Sequence, residues 1–130
     1  MSIFSKFFFS SSAPAEPIIG VIEPLSIQRA DGTMEEGVLA VVDTTKLQSL
    51  IDKKFAQELG LYTTDQVLDR ESVVVKGRER LADVIEVAFE VGGRQTRSRW
   101  HVTDRSAEKH FIVLGREDLR GFLVKIPDGE

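Results

Sequence analysis

The feature that most constrains this chain is the run Val38-Leu39-Ala40-Val41-Val42, which stops at Asp43-Thr44-Thr45. An apolar, β-branched run bounded in this way reads as a buried strand. A buried strand that ends in an acid delivers a carboxylate to the rim of a core, with two hydroxyls beside it. After Lys46-Leu47-Gln48-Ser49-Leu50-Ile51, the segment Asp52 to Leu59 reads as a short helix with Gly60 as its stop signal. On the acid alone two readings stand together. Asp43 is a reactive group, or it caps the turn that follows the strand through its own side chain.

The remaining segments read as short strands joined by turns. Pro17 to Ile22 and Leu25 to Arg29 form two strands, and Ala30-Asp31-Gly32-Thr33 turns the chain into a strand over Met34 to Val42. Leu61 to Arg70 has no clear period and reads as a loop. Glu71 to Lys76 is a strand, and Gly77-Arg78-Glu79-Arg80 is a charged turn. Leu81 to Val91 alternates in its second half, and Gly92-Gly93 is a hairpin turn into Arg94 to Val102. Arg94, Arg97 and Arg99 face Glu86 and Glu90 across that turn, as cross-strand ion pairs would. Phe111 to Leu114 is a further strand, Gly115 to Gly121 a turn with a helical piece, and Phe122 to Ile126 a last strand ended by Pro127. A count of about eight strands and one or two short helices predicts a mainly β fold, a small closed barrel.

Bulk properties narrow the function classes. At 130 residues and 42% hydrophobic content the chain suits one domain with an ordinary core. The division read from composition is a Phe/Ser-rich tail over 1–16, a domain over 17–127 and a tail over 128–130. Ala13-Pro14-Ala15 mimics a signal-cleavage site, but Ser5 and Lys6 interrupt the apolar run before it, so the expected location is the cytoplasm. No stretch is long enough for a membrane span. A net charge of −4 argues against a nucleic-acid partner. The absence of cysteine removes thiol catalysis and cysteine zinc sites. His101 and His110 have no evident third ligand and read as surface residues, so neither metal nor cofactor is expected.

Asp43-Thr44 after an apolar strand, with Ser49 and Ile51 following, resembles the active-site turn of retropepsin-like aspartic peptidases. Leu114-Gly115-Arg116, after Phe111-Ile112-Val113, is similar to the second signature of that family, a strand followed by Gly-Arg and a short helix. Gly92-Gly93 and His101-Val102-Thr103-Asp104-Arg105 follow the order of a bacterial and archaeal branch that goes by the name of ATP-dependent zinc proteases. The chain has neither His-Glu-x-x-His nor a phosphate loop to match that name.

The resemblance implies a retropepsin-like barrel whose Leu114-Gly115-Arg116 strand lies beside the Asp43 turn. It implies an endopeptidase acting on a peptide or protein substrate. One Asp-Thr turn per chain then requires a homodimer, in which two copies of Asp43 share a proton. Thr44 would tie the two turns together across the dimer axis, and the Phe122–Ile126 strand would join an intersubunit sheet. Thr45, Lys46 and Gly77, the last at the tip of a flap over Val73 to Leu81, would meet substrate. Two positions depart from the pattern: Thr45 stands where the family has Gly, and Lys46 where it has Ala. Thr adds bulk where bare backbone would approach substrate, and Lys46 is placed to ion-pair with Asp43. The alternative is a non-catalytic peptide- or protein-binding module, a pseudoprotease, on the same fold.

Overall fold

The computed structural model describes residues 18–125. The expectations for the Phe-rich tail, Pro17, Ile126, Pro127 and the C-terminal tail lie outside the described residues. The described chain runs β1 (Ile18–Ile19), β2 (Ile22–Gln28), β3 (Met34–Val42), β4 (Leu50–Asp52), α1 (Lys53–Glu58), a 3-10 turn (Thr64–Gln66), β5 (Asp69–Val75), β6 (Arg78–Val91), β7 (Arg94–Thr103), β8 (Ile112–Leu114), α2 (Arg116–Leu119) and β9 (Leu123–Val124).

Seven strands form one sheet in the order β2-β3-β8-β4-β7-β6-β5. A further antiparallel pairing, Ser26 with Glu90 and Ile27 with Phe89, joins β2 to β6. That pairing closes β2, β3, β8, β4, β7 and β6 into a barrel, the retropepsin-like fold expected from the sequence. β5 lies outside the closure as an edge strand on β6. The small β1–β9 pair is parallel and lies within one chain.

Alternation places the core. Val84, Ile85, Val87, Phe89 and Val91 of β6 are all buried, and Trp100 of β7 is the largest fully buried side chain. The Phe89 and Trp100 rings stack at a tilt with centroids 4.9 Å apart. Packed aromatics of this kind contribute about 0.5–1.5 kcal/mol beyond their buried area. Strand β8 is buried at all three positions because it lies between β3 and β4 and is covered on both faces.

Several boundaries differ from those read from the sequence. The strand expected over Pro17 to Ile22 breaks after Ile19. The Gly20 amide donates to Glu23 Oε1 at 2.9 Å, and β1 pairs with β9 while β2 goes to β3. The expected loop over Leu61 to Arg70 contains the 3-10 turn and the start of β5, drawn in by pairing of Asp69 and Arg70 with Val84 and Asp83. The charged turn at Gly77 to Arg80 is shorter than expected. Lys76 and Gly77 alone make the reversal, with φ of 52° and 75°. Two successive left-handed residues match the twist of a tight hairpin, so Arg78 to Arg80 continue as strand. The last strand is described only as Leu123–Val124 and pairs with β1 of its own chain.

The helix boundary held. Asp52 is the N-cap of α1, accepting from the Phe55 amide at 3.2 Å, and Gly60 follows the helix with φ of 76°. No helix among the described residues is long and apolar enough to cross a membrane.

Candidate functional site

β3 and β8 run parallel, pairing Val42 with Leu114, and the Asp43 amide donates to the Leu114 carbonyl at 3.0 Å. The chain leaves β3 at Asp43 and returns as β4 on the other side of β8. The intervening loop must therefore cross the end of β8, where the Gly115 backbone supports it. A Cβ built on Gly115 would stand 2.6 Å from both the carbonyl carbon and oxygen of Gln48. The Arg116 and Glu117 amides, at the start of α2, donate to the carbonyls of Lys46 (2.8 Å) and Leu47 (3.0 Å).

Beneath the loop lies a buried polar cluster. Ser49 Oγ accepts from the Gly115 amide at 3.0 Å and donates to Asp118 Oδ2. The same carboxylate oxygen accepts from Trp100 Nε1 at 3.0 Å. Ser49, Trp100 and Asp118 are all buried, so each of these bonds replaces water that cannot reach them. The cluster ties the Asp43 loop, α2 and the barrel core into one rigid unit.

The Asp43 carboxylate is half-buried at the top of this unit. Oδ1 accepts from Thr45 Oγ1 at 2.6 Å and from the Thr45 amide at 2.9 Å. The Thr45 hydroxyl is the main reason its pKa lies below the ordinary carboxylate value. Partial burial pushes the other way, while the Thr45 amide and the Lys46 charge lower it further. The same turn recurs at Asp31-Thr33 and Asp104-Ser106, where hydroxyl and amide again converge on one carboxylate oxygen. As geometry, therefore, the Asp43 turn is the capping turn that the structural reading of this acid describes.

The β5–β6 hairpin lies over the loop. Lys46 Nζ donates to the Val74 carbonyl at 3.1 Å. The expected Lys46–Asp43 ion pair is absent among the described residues, because the lysine reaches the hairpin instead. A cleft of about 390 Å3 separates loop from hairpin, lined by Thr45, Lys46 and Gln48 on one side, Glu71 and Val73 on the other, and His101 at its floor. Gly77, at the hairpin tip, is not among the residues lining this cleft. The Thr44 side chain is exposed at the apex of the turn. Thr45 is held in an ordinary backbone conformation, since among described non-glycine residues only Lys76 has a positive φ.

The surface reading is corrected for His101. His101 is 6% exposed, because β7 lies between β4 and β6, and its Nε2 is 2.9 Å from Glu71 Oε1. His110 is half-buried, and its carbonyl accepts from Arg105 Nε at 3.0 Å. No group of three or more His, Asp or Glu among the described residues is arranged to hold a metal. Of the expected cross-strand pairs of the β7 arginines, the one between Arg97 and Glu86 forms, while Arg94 and Arg99 go elsewhere. Arg97 reaches Glu86 at 3.3 Å, Arg99 turns to Asp69 and Glu71 of β5, and Arg94 covers the Phe122 ring.

Asp118, Trp100, Glu71 and His101 were not singled out from sequence as site residues. Asp118 follows Glu117 in a charged segment and carries no pattern of a buried acid. Its partner Ser49 is far away in the chain, and only the crossing loop brings the two together.

No family model matches the chain, and no curated protein matches it. Solved structures do. EIAV protease complexed with the inhibitor HBY-793 superposes with a TM-score of 0.57 at 18% identity, over 76% of this chain and 84% of that one. Lpg0085, a Legionella pneumophila protein with unknown function, gives 0.52 at 13% identity, over 86% and 94%. Simian Foamy Virus (mac) protease gives 0.51 at 16% identity, over 75% and 90%.

Proposed function

We propose that this chain, which carries the retropepsin-like fold, is an aspartic endopeptidase that works as a homodimer with one Asp43 from each copy. The observation that carries the reading is the seating of Asp43. It stands at the end of a strand locked to Leu114-Gly115, and although Asp43 is not itself among the residues lining the cleft under the hairpin, its neighbours Thr45 and Lys46 are. An acid fixed on the loop that borders a cleft is what peptide hydrolysis by a shared-proton pair needs. In the dimer one carboxylate is ionised and draws a proton from water, while the protonated partner polarises the scissile carbonyl. Like charges in contact raise one pKa, which opposes the lowering by Thr45. Thr44 braces the two turns across the axis, Thr45 and Lys46 meet substrate, and Leu114, Gly115 and Arg116 form the supporting frame. Gly77 acts with the hairpin tip rather than in the cleft.

One observation favours a second reading, a binding module without cleavage. Thr45 holds Asp43 as an ionised cap, and Lys46 bridges the cleft to Val74. The experiment that decides is peptide cleavage across pH by the chain and by Asp43→Asn, with sedimentation of both. Acid-optimal cleavage by a dimer, lost in the variant, supports the peptidase. Peptide binding with no cleavage at any pH supports the module.

A further inference from the structure

On the other side of the hairpin lies a second hollow of about 500 Å3. Strand pairing explains its lining. Val73 pairs with Arg80 and Val75 with Arg78, so the period of two places both arginines on one face with both valines. Lys53 of α1 and Lys76 of the turn face the same space, and Asp104 is its one acid. Four cations against one acid is the reverse of the charge on the chain as a whole, which is −4.

Most of this positive charge has no partner. Lys76 is paired with Glu108 at 2.8 Å. Lys53, Arg78 and Arg80 form no ion pair with any described residue. Asp83, on the neighbouring face, is already engaged by the Tyr62 hydroxyl and by Arg70 Nε at 3.0 Å.

We infer that this hollow binds the carboxylate side chain of an acidic peptide. Arginine pairs give planar, two-pronged recognition of carboxylate oxygens, and Val73, Val75 and Val102 cover the aliphatic stem. The apolar walls favour a glutamate-like side chain over a nucleic-acid backbone, which needs an open basic track and is repelled by the net negative chain. Val73 lines both this hollow and the cleft bordered by Thr45 and Lys46, so the two spaces meet at the hairpin. Binding itself does not depend on cleavage.

The test uses the full chain with Asp43→Asn, so that no ligand is consumed. Fluorescence anisotropy compares a labelled Glu-rich peptide, its Gln counterpart and a short labelled single-stranded oligonucleotide. The Glu peptide is expected to bind at least about tenfold more tightly than the Gln peptide, with affinity falling as salt rises. Arg78→Gln with Arg80→Gln is expected to abolish that difference. Arg97→Gln, on a different strand and paired with Glu86, is expected to leave it intact. Lys53→Gln, away from the hairpin, gives an independent loss should the double variant unfold. Equal binding of the Glu and Gln peptides, a preference for the oligonucleotide, or a preference unchanged in both the hairpin and Lys53 variants would overturn the inference. Failure of the peptidase reading would appear as absent cleavage in the unmodified chain, a separate readout.

Discussion

Replacing Ser49 by Ala removes one oxygen from the cluster under the Asp43 loop, and the structure sets the size of the effect. The Gly115 amide, bonded to Ser49 Oγ at 3.0 Å in a buried site, loses its acceptor. An orphaned buried donor costs about 1–3 kcal/mol. Asp118 keeps the Trp100 indole but loses the Ser49 hydroxyl. Partial relaxation offsets some of the sum, leaving a loss of about 3 kcal/mol. With a urea slope of about 1.5 kcal/mol/M, the unfolding midpoint falls by about 2 M at unchanged slope. The assay is urea unfolding followed by Trp100 fluorescence. Ser72→Ala is the control, because Ser72 bonds Glu79 on an exposed strand and is expected to shift stability by no more than about 0.5 kcal/mol. A Ser49→Ala midpoint within about 0.5 M of the parent would show that the cluster does not hold the loop.

Gly115→Ala drives a methyl into the Gln48 backbone at 2.6 Å, which has no flexible end to move. It is expected to cost about 1–3 kcal/mol in the same assay and to reduce cleavage further by shifting the Asp43 loop. Thr45→Val keeps the shape and the amide bond but removes the hydroxyl that chiefly lowers the Asp43 pKa. The pH profile of cleavage should move upward, and an unchanged profile would count against the Thr45 contact. Asp43 and Asp83 both have depressed pKa values, so their stabilisation is present above the unfolded carboxylate range and lost as pH falls through the folded values. Thermal midpoints should therefore be flat above about pH 5 and decline below about pH 4; a decline that begins near neutrality would mean that another group dominates.

How far the sequence carried the account depends on whether information was local. β3 over Met34–Val42, the Asp52 cap and the Gly92-Gly93 hairpin were legible because a strand period, a cap and a turn residue are written in adjacent positions. The proximity of Asp43 to Leu114-Gly115 came from resemblance, since nothing in either segment alone says that the two are neighbours. Elements whose form depends on distant pairing were misread. β5 begins at Asp69 because β6 recruits it, and β1 separates from β2 because β9 lies beside it. His101 was misread for the same reason: its place on a central strand buries it. Thr45 was legible as a departure from the family pattern, but not as the group that holds Asp43.

The most direct test is a crystal structure at acidic pH, reading the distance from Asp43 of one copy to Asp43 of the next across a two-fold axis. The account predicts two carboxylates about 3 Å apart, sharing a proton under paired hairpins. A monomer, or a dimer that keeps the two acids well beyond hydrogen-bonding reach, would contradict it.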